Sequence, residues 1–244
     1  MVVGPLPDPG TLADEVDWSR LSHAFGPAAP ETPAKLAGLV SGDARAVTAA
    51  LGHLWDDLLH QGSLCSATPA AALCVAAVLG DPRGRESLTC SHRSRLLAWL
   101  ADVAFVVTVR WERQLQEWSG SSAARDRNPH VGDIRAMRPA LLRGVLPWVS
   151  DPDPSVTEAA LLAAVHLLDA PELMSFRDAL APQVRTVLAV SSVHGHRAAA
   201  IAALEAWGEE VGSLRGPDAP AEDTDDTADA FWSADRGPLD EPPF

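Results

Sequence analysis

Apolar residues recur along most of this chain at spacings of three and four, the period of an amphipathic helix, and polar breaks cut that pattern into segments. Thr32-Pro33, a capping residue followed by proline, predicts a short helix ending near Val40. Asp43 opens a longer helix to His60, Ser66 to Pro69 start a third that ends at Leu79, and Ser91 opens a long one to about Trp118. Further helices are predicted at roughly 136–149, 154–168, 174–190 and 195–211. The stretch GDPRGRESLTCS (80–91) reads as a loop, and SGSSAARDRNPHVGD (119–133) as a flexible internal linker. Residues 1–16 are rich in proline and glycine and are expected to be loosely ordered. From Ser213 the periodicity is lost, and 213–244 read as a disordered acidic tail with an aromatic pair, Phe231-Trp232, inside it.

The pattern repeats. LVSGDARAVTAALGHLWDDLL (39–59) lines up without a gap against WVSDPDPSVTEAALLAAVHLL (148–168), pairing Val40-Ser41 with Val149-Ser150 and Val47-Thr48 with Val156-Thr157. AVSSVHGHRAAAIAALEAWG (189–208) is a weaker third copy. Each copy is a helix end, a polar turn and an alanine-rich helix, the signature of stacked two-helix units.

VSDPDPSVTEAALLAAVHLL and HRAAAIAAL resemble HEAT repeats of the bacterial type first described in phycobilisome lyases. Residues 17–80 are also similar to HEAT-repeat proteins of GC-rich Gram-positive bacteria, and 81–136 depart from a regular repeat. The resemblance implies an all-α fold, a HEAT-like solenoid over 17–212, whose second helices line a concave surface. It implies binding of another protein more than catalysis.

Composition agrees with helices and narrows the function. Alanine and leucine dominate, tyrosine is absent, and only two isoleucines occur, Ile134 and Ile201. The net charge is −14: 213–244 hold nine acidic and two basic residues, leaving 24 acidic and 17 basic in 1–212. An acidic body is a poor match for nucleic acid, whose phosphates need a basic surface, and favours a partner with a basic surface. Three cysteines (Cys65, Cys74, Cys90) without a C-x-x-C pair suit a reducing, cytoplasmic setting. The longest apolar run, 96–109, is too short to span a membrane.

Chemistry concentrates in GHLWDDLLHQGSLCSATPAA (52–71). On a helix His53, Asp56, Asp57 and His60 share one face, opposite Val47, Leu51, Leu54, Trp55, Leu58 and Leu59. His53 and His60 lie two turns apart, ~10.5 Å along the axis, too far to hold one metal ion, and Cys65 lacks an oxyanion-binding turn. No catalytic residue, cofactor or metal is expected. The four residues are instead expected on an exposed contact face, with Ser155, Glu158 and Asp169 on the comparable face of 154–168 and His196, Trp207 and Glu210 on that of 195–211. The sharpest form of this expectation is an immunity or antitoxin-type inhibitor. The alternative is a HEAT-like alkylpurine DNA glycosylase using Trp55, Asp56, Trp111 and Trp207, which the net acidity disfavours.

Overall fold

A computed structural model describes residues 6–119 and 128–215. The tail motif Phe231-Trp232, and most of the predicted linker and tail, lie outside the described residues. The described residues are mostly helical, with one short hairpin of β1 (Ser22–His23) and β2 (Gly26–Pro27). The chain divides into two compact units, Met1–Met174 and Ser175–Phe244.

The first unit contains nine of the helices described. α1 (Pro9–Glu15) forms where a loose segment was expected, because the Asp8 carboxylate accepts from the Gly10 and Thr11 amides, Pro9 pre-sets the first turn and Leu12 is buried. α2 (Glu31–Ala37) and α3 (Ala44–His53) follow. α4 (Thr68–Gly80) is buried nearly all round, so its apolar residues show no single face. α5 (Pro82–Ser87) replaces the expected loop, with Asp81 capping the Arg83 amide. α6 (Cys90–Phe105), α7 (Val109–Ser119), α8 (His130–Val145) and α9 (Pro154–Leu167) complete it.

The predicted long helix over 91–118 is broken at residues 106–108. Thr108 closes α6 by donating to the Phe105 carbonyl (2.7 Å) and starts α7 by accepting from the Trp111 amide (3.1 Å). Asp169 takes the Val109 amide at 2.8 Å, and α8 takes the carbonyl in between. Arg135 Nε and Arg138 Nη2 both donate to the Val107 carbonyl at 2.9 Å. The Phe105 and Val107 carbonyls and the Val109 and Trp111 amides at the break thus each have a side-chain partner.

The helices pack in pairs, α2 with α3, α4 with α6 and α8 with α9, and the most extensive contacts join like members of successive pairs, α4 to α8 and α6 to α9. α4 and α8 meet at backbone distance: a Cβ on Gly144 would stand 2.4 Å from the Ala76 carbonyl oxygen. Trp148, buried after α8, donates its indole N–H to the Leu79 carbonyl at 3.0 Å. α5 and α7 fall outside the pairs.

The second unit holds α10 (Arg177–Thr186) and α11 (His194–Ala206), which pack on each other and on the 3-10 turn Leu188–Val190. Gly208 follows α11 at φ +83, the left-handed stop that glycine adopts without strain.

The three aligned stretches share a local plan. Gly38–Val40, Leu146–Trp148 and Leu188–Val190 are each a 3-10 turn between two helices. Val47 and Val156 are both buried, as their alignment requires. The turns are not of one length, however: two residues separate Val40 from the cap Asp43, and four separate Trp148 from the cap Asp153. The extra residues let Asp151 accept the Asp153 amide (2.9 Å) and the Thr157 hydroxyl (2.7 Å, through its carbonyl) before the helix starts.

Candidate functional site

The stretch after α3 does not continue as one α-helix to His60. Leu54–Leu58 is a π-helical turn, then comes a 3-10 turn, His60–Gly62, with Gln61 at φ +50 and Gly62 at φ +73. Neighbouring helices cause the change of pitch. Buried Trp99 of α6 donates its indole N–H to the Leu54 carbonyl at 2.8 Å, and Thr68 of α4 donates its hydroxyl to the Leu58 carbonyl at 2.6 Å. Side chains that enter the helical hydrogen-bond ladder in this way widen or end it.

The wide turn puts Asp57 beside His53, and the two are not on an exposed face. His53 is 4% exposed, which corrects the expectation that it faces solvent. Its Nδ1 lies 2.7 Å from Asp57 Oδ2 and its Nε2 lies 2.9 Å from the hydroxyl of fully buried Thr32. With Nδ1 donating to the carboxylate, Nε2 is bare and accepts the Thr32 hydroxyl. Thr32, expected to cap α2, is instead its second residue and spends its side chain on His53. His23 of β1 approaches the same aspartate, with Nδ1 3.9 Å from Oδ1, and meets the His53 ring edge-on at 5.6 Å.

Hydroxyl, imidazole and carboxylate therefore stand in the order used by hydrolytic triads. Burial removes the chemistry. A nucleophile must meet its substrate, and Thr32 has no exposed surface. The arrangement is a relay that fastens α2 to the end of α3. Each polar group in it is satisfied, which is what keeps a buried polar cluster from costing stability.

The other predicted residues scatter. Asp56 is exposed, and its backbone carbonyl accepts from His60 Nδ1 at 2.9 Å. His60 is half-buried under Phe25, whose ring lies 4.8 Å away and is 66% exposed. Ser155 is exposed at the start of α9 and donates its hydroxyl to the cap Asp153 at 2.7 Å. Glu158 is half-buried one turn further along. Asp169 sits past the far end of α9, about 16 Å from Glu158 by helical rise. It receives the Val109 amide and lies 3.6 Å from Arg138, a guanidinium that burial pushes below its ordinary pKa. In the second unit His196 is half-buried, Trp207 has the Arg177 guanidinium 6.0 Å over its ring, and exposed Glu210 accepts the Gly212 amide at 2.6 Å.

The tryptophans weighed for DNA have other engagements. Trp55 donates to Asp102 at 3.1 Å and carries Arg95 at 5.6 Å over its ring, and Trp111 packs on Phe105 at 5.2 Å. Cys74 is buried, and burial pushes its thiol up to about 12, so it packs as an inert apolar group. Among the described residues no cluster of three or more metal-ligating side chains occurs, and no helix is long and apolar enough to cross a membrane.

Sequence reasoning missed Thr32, His23 and Phe25. Thr32 carries a local cap signal that concealed a contact 21 residues away. His23 and Phe25 lie in a hairpin that no periodicity announced. No family model matches the chain, and neither the curated proteins nor the solved structures contain a match to it.

Proposed function

We propose that this chain is a HEAT-like helical-repeat module that binds another protein through acidic side chains on its second helices, without catalysis. The observation that carries the reading is the stacking of like on like: α4 on α8 and α6 on α9, with α2–α3 ahead of them. Pairs that stack in two rows leave one row free for a partner. The net charge of −14 supports a partner with a basic surface, through long-range attraction that speeds encounter. Of the expected contact face only His53 is buried; Asp56, Asp57, His60, Ser155, Glu158 and Asp169 in the first unit and His196, Trp207 and Glu210 in the second are exposed or half-exposed. An inhibitor of the immunity or antitoxin type, acting in the cytoplasm, is the specific form of this proposal.

The test is affinity capture from the source cell with the full chain, followed by binding measurements with the captured protein. One basic partner is expected, whose affinity falls as salt rises and falls again by about tenfold (~1.4 kcal/mol) when Asp56 and Glu158 are both replaced by lysine. A partner whose binding ignores both salt and charge reversal would remove the acidic face from the account. Capture of no specific protein would remove the binding function itself.

A further inference from the structure

The β1–β2 hairpin rests its tip on the π-helical turn. The Ala24 amide donates to the Asp57 carbonyl at 2.9 Å, and Phe25 packs its ring against His60. His23, whose side chain is only 10% exposed, stands at the root of that tip. Its Nδ1 accepts the Phe25 backbone N–H at 3.2 Å, and the same Nδ1 stands 3.9 Å from Asp57 Oδ1.

These two relations exclude one another. A backbone N–H only donates, so Nδ1 must be bare while it holds Phe25. A carboxylate only accepts, so Nδ1 must carry a proton to bond Asp57. His53 occupies the other oxygen, Oδ2, at 2.7 Å, and as an Nδ1 donor it serves there whether its own ring is neutral or charged. Oδ1 is the oxygen turned toward His23.

We propose that His23 is a proton-operated latch on the hairpin tip. The neutral imidazole holds Phe25 through its amide; protonation turns Nδ1 into a donor, moves it onto Asp57 Oδ1 and releases the Phe25 amide, leaving the tip to the Ala24–Asp57 bond and the Phe25–His60 contact. The input is the charge of an imidazole, the side-chain type best suited to change charge near neutral pH. Asp57 and His53 face His23 from the π turn and the end of α3, with His60 beyond Phe25. On the other edge Ser22 pairs with Ser66 at 3.1 Å, and the turn Trp18–Arg20, flanked by Asp17, packs on β2. Of these groups Asp57 is the anion that attracts the protonated ring. The latch concerns the hairpin alone and does not depend on the partner proposed above.

Amide hydrogen exchange on the full chain, corrected for the intrinsic effect of pH, reads the latch directly. Protection of the Phe25 amide is expected to fall about tenfold from about pH 7.5 to about pH 5.5, on either side of imidazole titration. His23→Asn places an amide oxygen near the position of Nδ1 but takes up no proton, and should make Phe25 protection independent of pH. Long-range nitrogen–proton correlation should find His23 Nδ1 bare at the higher pH. A protonated Nδ1 there, a flat wild-type profile, or an unchanged pH response in His23→Asn would each overturn the proposal.

Discussion

Two helix interruptions in the first unit, at Leu54–Leu58 and at residues 106–108, meet the same difficulty with different chemistry. Each releases backbone carbonyls in the interior, and each has them taken up by side chains of packed helices. At the first the donors are neutral, Trp99 on Leu54 and Thr68 on Leu58, next to the Thr32–His53–Asp57 relay. At the second they are guanidiniums, Arg135 and Arg138 on Val107, with Asp169 as the counter-charge and amide acceptor. A guanidinium stays charged at any pH a protein survives, whereas an imidazole does not. One joint is therefore braced by fixed positive charge and the other by neutral donors beside an imidazole. A polar cluster that looks catalytic and one that looks like an ion pair both turn out to brace a break in a helix.

Removing the guanidinium from the charged joint should give the largest effect. Arg138→Met leaves the Asp169 carbonyl without its donor and the Val107 carbonyl to Arg135 alone, and should cost about 3 kcal/mol, read as a lower urea midpoint. In the neutral joint, Trp99→Phe loses the indole bond to Leu54 and part of a packed ring, and about 2 kcal/mol is expected in the same titration. Thr32→Val keeps the shape of the side chain and removes the hydroxyl from His53, for about 1 kcal/mol. If Arg138→Met proved milder than Thr32→Val, the ranking of the two joints would be reversed.

The smallest expected effect lies outside both joints and serves as a control. Hydrogen bonds from Arg83 hold Asp81 below the usual carboxylate range, and those from Ser155 and then Cys90 do the same for Asp153. A depressed carboxyl contributes stability that is present above its unfolded value and lost as pH falls through the folded one. Thermal melts should therefore weaken slightly below the ordinary carboxylate range, with a shallower slope in Asp153→Asn. A slope that steepened in that variant would contradict the assignment. Both groups lie at the surface, half-buried and bonded to local partners, so the change is small against that of either joint.

The helices were legible because their signals are local. Asp43 and Asp153 cap α3 and α9 through their own side chains, and Val47 and Val156 lie on the buried side of each. The mostly helical character of the described residues followed from composition and periodicity in the same way. What the sequence concealed depends on contacts made at a distance. Trp99 is 45 residues from the carbonyl it takes, so nothing near Leu54 announces a π turn. Likewise the apolar run over 96–109 continues in helical phase through 106–108, and only Arg135, Arg138 and Asp169 explain the break. His53 was misplaced for a related reason. A helical wheel assigns a polar residue to the outside, but α2 covers that side and brings Thr32 to meet it.

The central claim is that His53 belongs to an internal relay and is not part of an exposed or reactive face. Diethyl pyrocarbonate labelling of the folded chain near neutral pH, with each histidine read by mass spectrometry, tests it most directly. His194, exposed at the start of α11, is the internal standard. The account predicts that His194 is modified rapidly while His53 stays unmodified until the chain unfolds. Modification of His53 at a rate comparable to His194 in the native protein would contradict it.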